Sequence, residues 1–146
     1  MLRGLATISF YADDLAAARD WYAEVLGADP YYAFPSEGAP GYIEFRVGDY
    51  EHELGIIDAR YAPADRPSGP AGAVTYWHVD DLQAAHDRLL ALGATPHLPI
   101  TEQGGGTGFV TASVVDPFGN LLGIMNNPHY LEVVRATGTF AAPAAP

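Results

Sequence analysis

The sequence contains no cysteine and few basic residues. Of its 146 residues, only seven are Lys or Arg, against 18 Asp or Glu. Without cysteine, the chain has no disulfide framework, thiolate metal site or cysteine nucleophile. The formal net charge of -11 opposes binding to nucleic acids and to anionic lipid surfaces, because such binding needs a clustered basic patch. We therefore expect neither a nucleic-acid partner nor a membrane partner.

Long hydrophobic runs are also missing. No stretch approaches the roughly 20 apolar residues that cross a bilayer, and no basic segment followed by an apolar run opens the sequence. We therefore expect a cytoplasmic protein. Because 49% of the residues are hydrophobic, the chain is expected to bury one substantial core, although it is too short for two ordinary domains.

The chain contains an internal repeat. Residues 12–20 (ADDLAAARD) recur as residues 79–87 (VDDLQAAHD), with six of nine positions identical. An alternating run typical of a β-strand precedes each copy, and apolar residues at helical spacing follow it. The aspartate pairs suit helix N-caps, and Gly27 and Gly93 suit the helix ends. Each copy therefore predicts a strand followed by a helix.

Each half of the chain continues into three more predicted strands. Turn residues precede the last of these strands in both halves, and the predicted strands are 30–34, 41–47 and 53–57, then 96–100, 109–115 and 121–125. This pattern predicts an α+β fold of two βαβββ modules in one domain, residues 1–128. Module one spans 1–58, a Pro- and Gly-rich linker spans 59–72, and module two spans 73–128. The Ala- and Pro-rich residues 129–146 predict a disordered or loosely docked C-terminal tail.

These features resemble the vicinal oxygen chelate superfamily, which has the glyoxalase, bleomycin resistance and extradiol dioxygenase fold. The resemblance lies in the paired modules, the D-x-x-x-A helix starts, the aromatic pair Trp21 and Tyr22, and the DPFGN segment at 116–120. It covers about residues 2–127 and implies two curved sheets that form a cup with helices outside. It further implies a ligand on the inner face and a homodimer. Because one scaffold supports many chemistries, it does not by itself identify the function.

The positions that bind metal in related proteins lack ligands here. Metal-dependent members of the family use a His in the first strand and a Glu in the last strand of each module. The corresponding positions are Thr7, Gly55, Val74 and Gly123. Only Thr7 has a polar side chain, whereas a divalent ion needs about three protein ligands. We therefore predict that the protein has no metal and no other cofactor.

Strand alternation predicts which side chains face the cup and which face the helices. The predicted core positions include Ile8, Ile43, Phe45, Leu54, Ala112, Val114 and Ile124. Glycines at 55 and 123 are expected either to enlarge the cup floor or to permit close strand packing, and both interpretations remain open. The predicted ligand-binding residues combine aromatic, polar and small side chains: Thr7, Ser9, Tyr11, Glu44, Arg46, Gly55, Ile57, Val74, Tyr76, Thr111, Ser113, Leu121, Gly123 and Met125.

Two further cup-facing residues are candidate catalytic groups. The pKa of a histidine lies near neutral pH, so His78 suits acid–base chemistry, with Glu53 as its partner. His78 is equally interpretable as polar lining, and the carboxylates as partners of Arg46 in a structural ion pair. His52, His86 and His97 are interpreted as solvated or packing residues.

Three functional hypotheses follow from the sequence. The first is a small-molecule-binding protein of the glyoxalase/bleomycin resistance type, which holds a hydrophobic or aromatic metabolite or antibiotic without a metal. The second is a metal-independent isomerase, cyclase or lyase that uses His78 as its acid–base group. The third is a metal-dependent glyoxalase or dioxygenase. Whether the protein is an enzyme stays open, as does whether the cup forms within one chain or between two.

Overall fold

The computed structural model describes residues 6–66, 69–70, 72–103 and 105–137. Module one comprises β1 (Thr7–Ala12), α1 (Leu15–Leu26), β2 (Tyr32–Phe34), β3 (Tyr42–Val47) and β4 (His52–Asp58). Module two comprises β5 (Thr75–His78), α2 (Leu82–Ala91), β6 (Thr95–Glu102), β7 (Val110–Val115) and β8 (Leu121–Asn126). The predicted α+β fold of two βαβββ modules is confirmed.

Each module forms its own four-stranded sheet. The strand orders are β1-β4-β3-β2 and β5-β8-β7-β6. The first and last strands of each module pair in parallel, and the other pairs are antiparallel. Parallel neighbours need a long crossover connection, which here includes the helix and the two remaining strands. The two sheets therefore repeat one topology, as the internal sequence repeat predicts.

The repeated aspartates start the two helices. The side chains of Asp14 and Asp81 accept hydrogen bonds from the backbone N–H groups of Ala17 and Ala84, each at 2.9 Å. These bonds satisfy donors that the first helical turn leaves unpaired. Gly27 ends α1 in the left-handed conformation, with φ of 68°, which costs glycine little. The predicted N-caps and the predicted end of α1 are confirmed.

The core lies on the helix-facing side of each sheet. In the first sheet, Ile43, Phe45, Leu54 and Ile56 are at most 2% exposed, and along β3 the buried residues alternate with more exposed ones. The second sheet buries Ala112, Val114, Leu122 and Ile124 within longer buried runs. Phe10, Trp21 and Trp77 pack against both clusters. The modules therefore join through their helix-facing sides.

A buried polar network also connects the modules. Asp116 is 3% exposed, and its carboxylate accepts hydrogen bonds from Tyr22 Oη at 2.6 Å, from Phe118 N at 2.9 Å, and from Asn120 N and Nδ2 at 2.7 and 2.9 Å. The Asn120 amide bonds to both backbone groups of Tyr11. Burial, and then the Asp116 carboxylate, raise the pKa of Tyr22 well above its usual value, so its hydroxyl remains a donor.

A third helix follows the second module. The prediction of a disordered or loosely docked tail is wrong for α3 (Pro128–Thr137). Val134 of this helix is 2% exposed, and Tyr130 Oη donates a hydrogen bond to Asp49 Oδ2 at 2.8 Å in the turn between β3 and β4. An apolar contact and this bond therefore hold α3 against the domain. The rest of the predicted tail, 138–146, lies outside the described residues.

Two smaller differences concern the linker and a strand. The predicted linker begins with a single 3₁₀ turn, Ala59–Tyr61, and β6 extends beyond the predicted 96–100 at both ends. No helix in the described part of the chain is both long and apolar enough to cross a membrane.

Replacing Asp116 by Ala should lower the free energy of unfolding by about 3 kcal/mol or more, because Tyr22 Oη and two backbone N–H groups lose their acceptor in a buried site. Urea unfolding measures this effect. The matched control is Asp20→Ala, whose exposed carboxylate forms a surface ion pair with Arg19, so a change within about 0.5 kcal/mol is expected. Equal effects of the two substitutions would contradict the structural role of Asp116.

Candidate ligand-binding site

The exposed face of the first sheet brings together three predicted site residues. Thr7 Oγ1 donates a hydrogen bond to Glu53 Oε2 at 2.5 Å, and Arg46 Nη1 donates to Glu53 Oε1 at 3.0 Å. Glu53 lies on β4 between β1 and β3, directly opposite both partners. The Glu53 carboxylate is therefore used in a hydrogen-bonded ion pair, which is the structural alternative that the sequence left open.

A second carboxylate lies beside this pair. Tyr42 Oη donates a hydrogen bond to Glu44 Oε2, and the register places Glu44 opposite both Tyr32 and Gly55. The pKa of Glu44 is raised above its ordinary value. Partial burial and the nearby Glu53 charge raise it, and the Arg46 charge opposes them only in part. In the described part of the chain, no basic side chain forms an ion pair with Glu44. Glu44 is thus a polar group whose charge is not balanced by a direct contact.

Aromatic side chains surround these carboxylates. Tyr31, Tyr32 and Phe34 are 49%, 46% and 63% exposed. The guanidinium carbon of Arg46 lies 4.4 Å from the centre of the Tyr31 ring, and the rings of Tyr32 and Tyr42 are 6.3 Å apart at 62°. The sequence analysis missed this aromatic set. Tyr32 pairs with Glu44 of the neighbouring strand. Because Glu44 was predicted to face the cup, extending the alternation to β2 would have indicated Tyr32 as well.

Tyrosine rings cover both glycines at the family's metal positions. A Cβ atom added to Gly55 would lie 2.5 Å from Tyr42 Oη, and one added to Gly123 would lie 2.6 Å from Tyr76 Cδ1. The structure therefore favours close packing over an empty cup floor. The Thr7 hydroxyl already donates to Glu53, and Val74 offers no ligand atom. Among the described residues, no group of three or more His, Asp or Glu side chains is placed to bind a metal. The residues present do not fit a divalent ion.

The predicted site residues of the second sheet are partly used in other contacts. Ser113 is fully buried, and its hydroxyl bonds to His97 Nδ1 at 2.9 Å. Thr111 accepts a hydrogen bond from Gln103 Nε2 at 3.1 Å. Tyr76 is 38% exposed, and Met125 is half-buried. The predicted polar groups of this face are therefore already hydrogen-bonded, and Tyr76 is its accessible aromatic side chain.

Three of the remaining predicted residues lie beside a cavity, and Ile57 lies within the first sheet. Ser9, Tyr11 and Leu121 line an open cavity of about 530 Å³ beside the linker, and the guanidinium carbon of Arg66 lies 4.7 Å from the centre of the Tyr11 ring. Ile57 is half-buried and pairs with Tyr11 across β1 and β4.

The two predicted catalytic residues are not brought together. No hydrogen bond or ion pair between described residues links His78 to Glu53. The His78 side chain is 8% exposed, its Nδ1 accepts a hydrogen bond from Asn127 N at 3.2 Å, and its ring stacks on Tyr130 at 4.8 Å. Burial lowers the pKa of His78, although Asp80 and Asp49 partly oppose this shift. The neutral imidazole is therefore favoured at pH 7.

A separate cavity of about 430 Å³ lies between the modules, on the side of the helices. His78 and Tyr130 are part of its wall. The sequence did not predict this cavity. Strand alternation assigned Ile8, Leu54 and Ile124 of its lining to the core, but assigned Tyr76, His78 and Met125 to the cup. Most of the lining is apolar and comes from both sheets and both module helices: Ile8, Leu54, Leu122, Ile124, Val25, Leu26, Ala85 and Leu89.

Comparisons with known proteins agree with this architecture. The family model described as "Glyoxalase/Bleomycin resistance protein/Dioxygenase superfamily" matches residues 4–124. A comparison with curated proteins gives no match.

Several solved structures have a similar fold. A glyoxalase-related enzyme from Fulvimarina pelagi is 22% identical with a TM-score of 0.66, and the match covers 87% of this chain and 90% of that one. A lactoylglutathione lyase from Agrobacterium tumefaciens is 19% identical with a TM-score of 0.64 and coverage of 89% and 98%. The fosfomycin resistance protein FosX from Listeria monocytogenes is 14% identical with a TM-score of 0.61 and coverage of 87% and 95%. At these sequence identities the similarity shows a shared fold but does not show whether any activity is shared.

Protonation of His78 should destabilise the protein in mildly acidic solution. Because the folded-state pKa is below the ordinary value of 6.5, its contribution to stability is fully present above about pH 6.5 and is lost as the pH falls toward the folded-state pKa. Urea unfolding at about pH 7.5 and about pH 5.5 should show a larger loss for the wild type than for His78→Phe. The control is His129→Phe, at a side chain that is 80% exposed. Equal losses in the wild type and His78→Phe would contradict the burial effect.

Proposed function

This chain belongs to the Glyoxalase/Bleomycin resistance protein/Dioxygenase superfamily, and we propose that it binds a small hydrophobic or aromatic molecule on the open face of its first sheet, without a metal ion. The observation that carries the proposal is the exposed aromatic set Tyr31, Tyr32 and Phe34 beside the carboxylate of Glu44. Exposed aromatic groups rimmed by polar residues are typical of interaction sites.

The arrangement of these groups supports an aromatic ligand with a polar donor. Tyr32 and Tyr42 meet at 62°, so a planar ligand that packs against Tyr32 buries apolar surface and gains ring contacts. Glu44 forms no ion pair with a described residue and supplies an acceptor at the edge of this wall. A hydroxyl, amide or ammonium group of the ligand is the complementary partner.

The donor set supports binding without a metal. At the four positions where related proteins hold metal ligands, two tyrosine rings cover the glycines, the Thr7 hydroxyl is bound to Glu53, and Val74 is apolar. A divalent ion needs about three N, O or S ligands in a defined geometry. In our proposal, ring packing and the Glu44 carboxylate therefore replace the role of the metal in holding the ligand.

We further propose that a second copy of the chain completes the site. A typical pocket buries about 70–90% of its ligand, which an open sheet face does not achieve. The exposed apolar residues of the second sheet, Leu98 and Ile100 on β6 and Tyr76 on β5, offer the surface with which a partner covers the first sheet. A two-fold dimer would join the two different faces twice and leave neither uncovered.

Elemental analysis and native mass spectrometry of protein purified without chelator test the metal-free proposal. The expected result is no stoichiometric transition metal, because the family's ligand positions lack donor side chains. One bound metal ion per chain would contradict the proposal.

Substitution of the aromatic wall tests the location of the site. With 1-naphthylmethylamine as the probe, Tyr32→Ala and Glu44→Gln should each weaken binding about tenfold, which corresponds to about 1.4 kcal/mol of lost ring packing or charge-assisted hydrogen bonding. Fluorescence titration measures the dissociation constants. Tyr61→Ala is the matched control, since Tyr61 is 63% exposed but lies on the 3₁₀ turn outside the first sheet. Equal losses in Tyr32→Ala and Tyr61→Ala would place the probe elsewhere.

The proposed dimer is tested by sedimentation velocity. The wild type should sediment as a dimer, and Phe34→Glu should shift it toward the monomer because the substitution adds a charge to the covered face. The control is Val133→Glu, at another exposed apolar side chain, which lies on α3. A monomeric wild type at micromolar concentration, or equal shifts in both variants, would contradict the dimer.

A further inference from the structure

The cavity between the modules is separate from the open face of the first sheet, and its lining also includes Tyr76 and Met125 of the second sheet. It is lined by residues such as Ile8, Leu54 and Ile124, whose side chains lie on the opposite side of their strands from Thr7, Glu53 and Gly123. Protein interiors are normally close-packed, with few voids larger than a water molecule. A volume of about 430 Å³ lies within the roughly 300–1,000 Å³ of small-molecule pockets. The cavity therefore has the size of a ligand site.

The wall of this cavity contains a buried histidine with an unused nitrogen. The His78 side chain is 8% exposed, and its Nε2 has no hydrogen-bond partner among the described residues. The nearest carboxylate oxygen, Asp80 Oδ1, is 3.9 Å away, which is too far for a hydrogen bond. A buried polar atom gains stability when it finds a hydrogen-bond partner, so this nitrogen is available to a ligand in the cavity.

The hydrogen bond at Nδ1 of His78 determines whether the partner of Nε2 must be a donor or an acceptor. Because His78 Nδ1 accepts a hydrogen bond from Asn127 N, the proton of the neutral imidazole lies on Nε2. Nε2 is then a donor, and its partner must be an acceptor. The charges of Asp49 and Asp80 lie near this ring, and the net charge is -11. An anionic acceptor is therefore disfavoured, and a neutral carbonyl oxygen fits better.

We propose that the inter-module cavity is a second ligand site, which holds a small neutral apolar molecule whose carbonyl oxygen accepts a hydrogen bond from His78 Nε2. The apolar body of the ligand packs between α1, α2 and the two sheets, against Val25, Leu54 and Leu89. Since the lining comes from both modules, the ligand also contacts both halves of the domain. This site is independent of the proposed binding on the first sheet.

Two matched probes and two matched histidine variants test the hydrogen bond. The probes are 2-acetylnaphthalene and 2-isopropenylnaphthalene. They have nearly the same shape, but a =CH₂ group in the second replaces the carbonyl oxygen of the first. His78→Phe should weaken binding of the acetyl probe about tenfold and change binding of the isopropenyl probe less than about twofold. His86→Phe is the control, because His86 also has a buried, unpartnered Nε2 but does not line the cavity. Equal losses of the acetyl probe in both variants would overturn the assignment.

The location of the probe is tested independently of His78. Ala85→Phe adds a ring from the α2 wall and should abolish binding of both probes, whereas Tyr61→Ala, at an exposed ring outside the cavity lining, should leave both unchanged. In the wild type, the Nε2 proton signal of His78 should shift downfield with the acetyl probe alone, which tests the bond without any substitution. Binding that survives Ala85→Phe and is lost in Glu44→Gln would overturn the cavity site and leave only the sheet-face proposal.

Discussion

The buried carboxylate of Asp116 is the constraint on which the assembly of the two modules depends. A carboxylate that is 3% exposed is stable only when most of its lone pairs are hydrogen-bonded. Two of the four donors come from the backbone of its own turn, but Tyr22 lies on α1 of the other module. Asn120, oriented by the same carboxylate, bonds to the backbone of β1. The side chains of Asp116 and Asn120 thus form all of these hydrogen bonds only when the modules are docked.

Docking through the helix-facing sides determines what the rest of the molecule offers to ligands. Because Phe10, Trp21 and Trp77 pack into both cores, the opposite faces of the sheets stay open, and the first of them presents Glu44 among exposed aromatic rings. The same docking leaves the cavity between α1 and α2. The docking thereby creates the two different surfaces to which we assign the proposed ligand sites.

The local parts of this structure followed from the sequence. The internal repeat predicted two equivalent modules, its aspartates predicted both N-caps, and strand alternation correctly assigned Ile43, Phe45 and Val114 to the core. Each inference depends on spacing within one element, where backbone geometry sets the direction of the side chains. The absence of a metal at Thr7, Gly55, Val74 and Gly123 stays a prediction.

The tertiary structure decided what these residues contact. Parity places the His78 side chain on the opposite face of β5 from Trp77, but only the docking of α3 covers its ring with Tyr130. Whether Gly55 and Gly123 leave space or make contact depended on the rings of Tyr42 and Tyr76 from neighbouring strands. The alternation of residues along a strand determines on which face of the sheet a side chain lies. What fills the space above that face depends on packing between segments distant in the chain, and no local pattern encodes that packing.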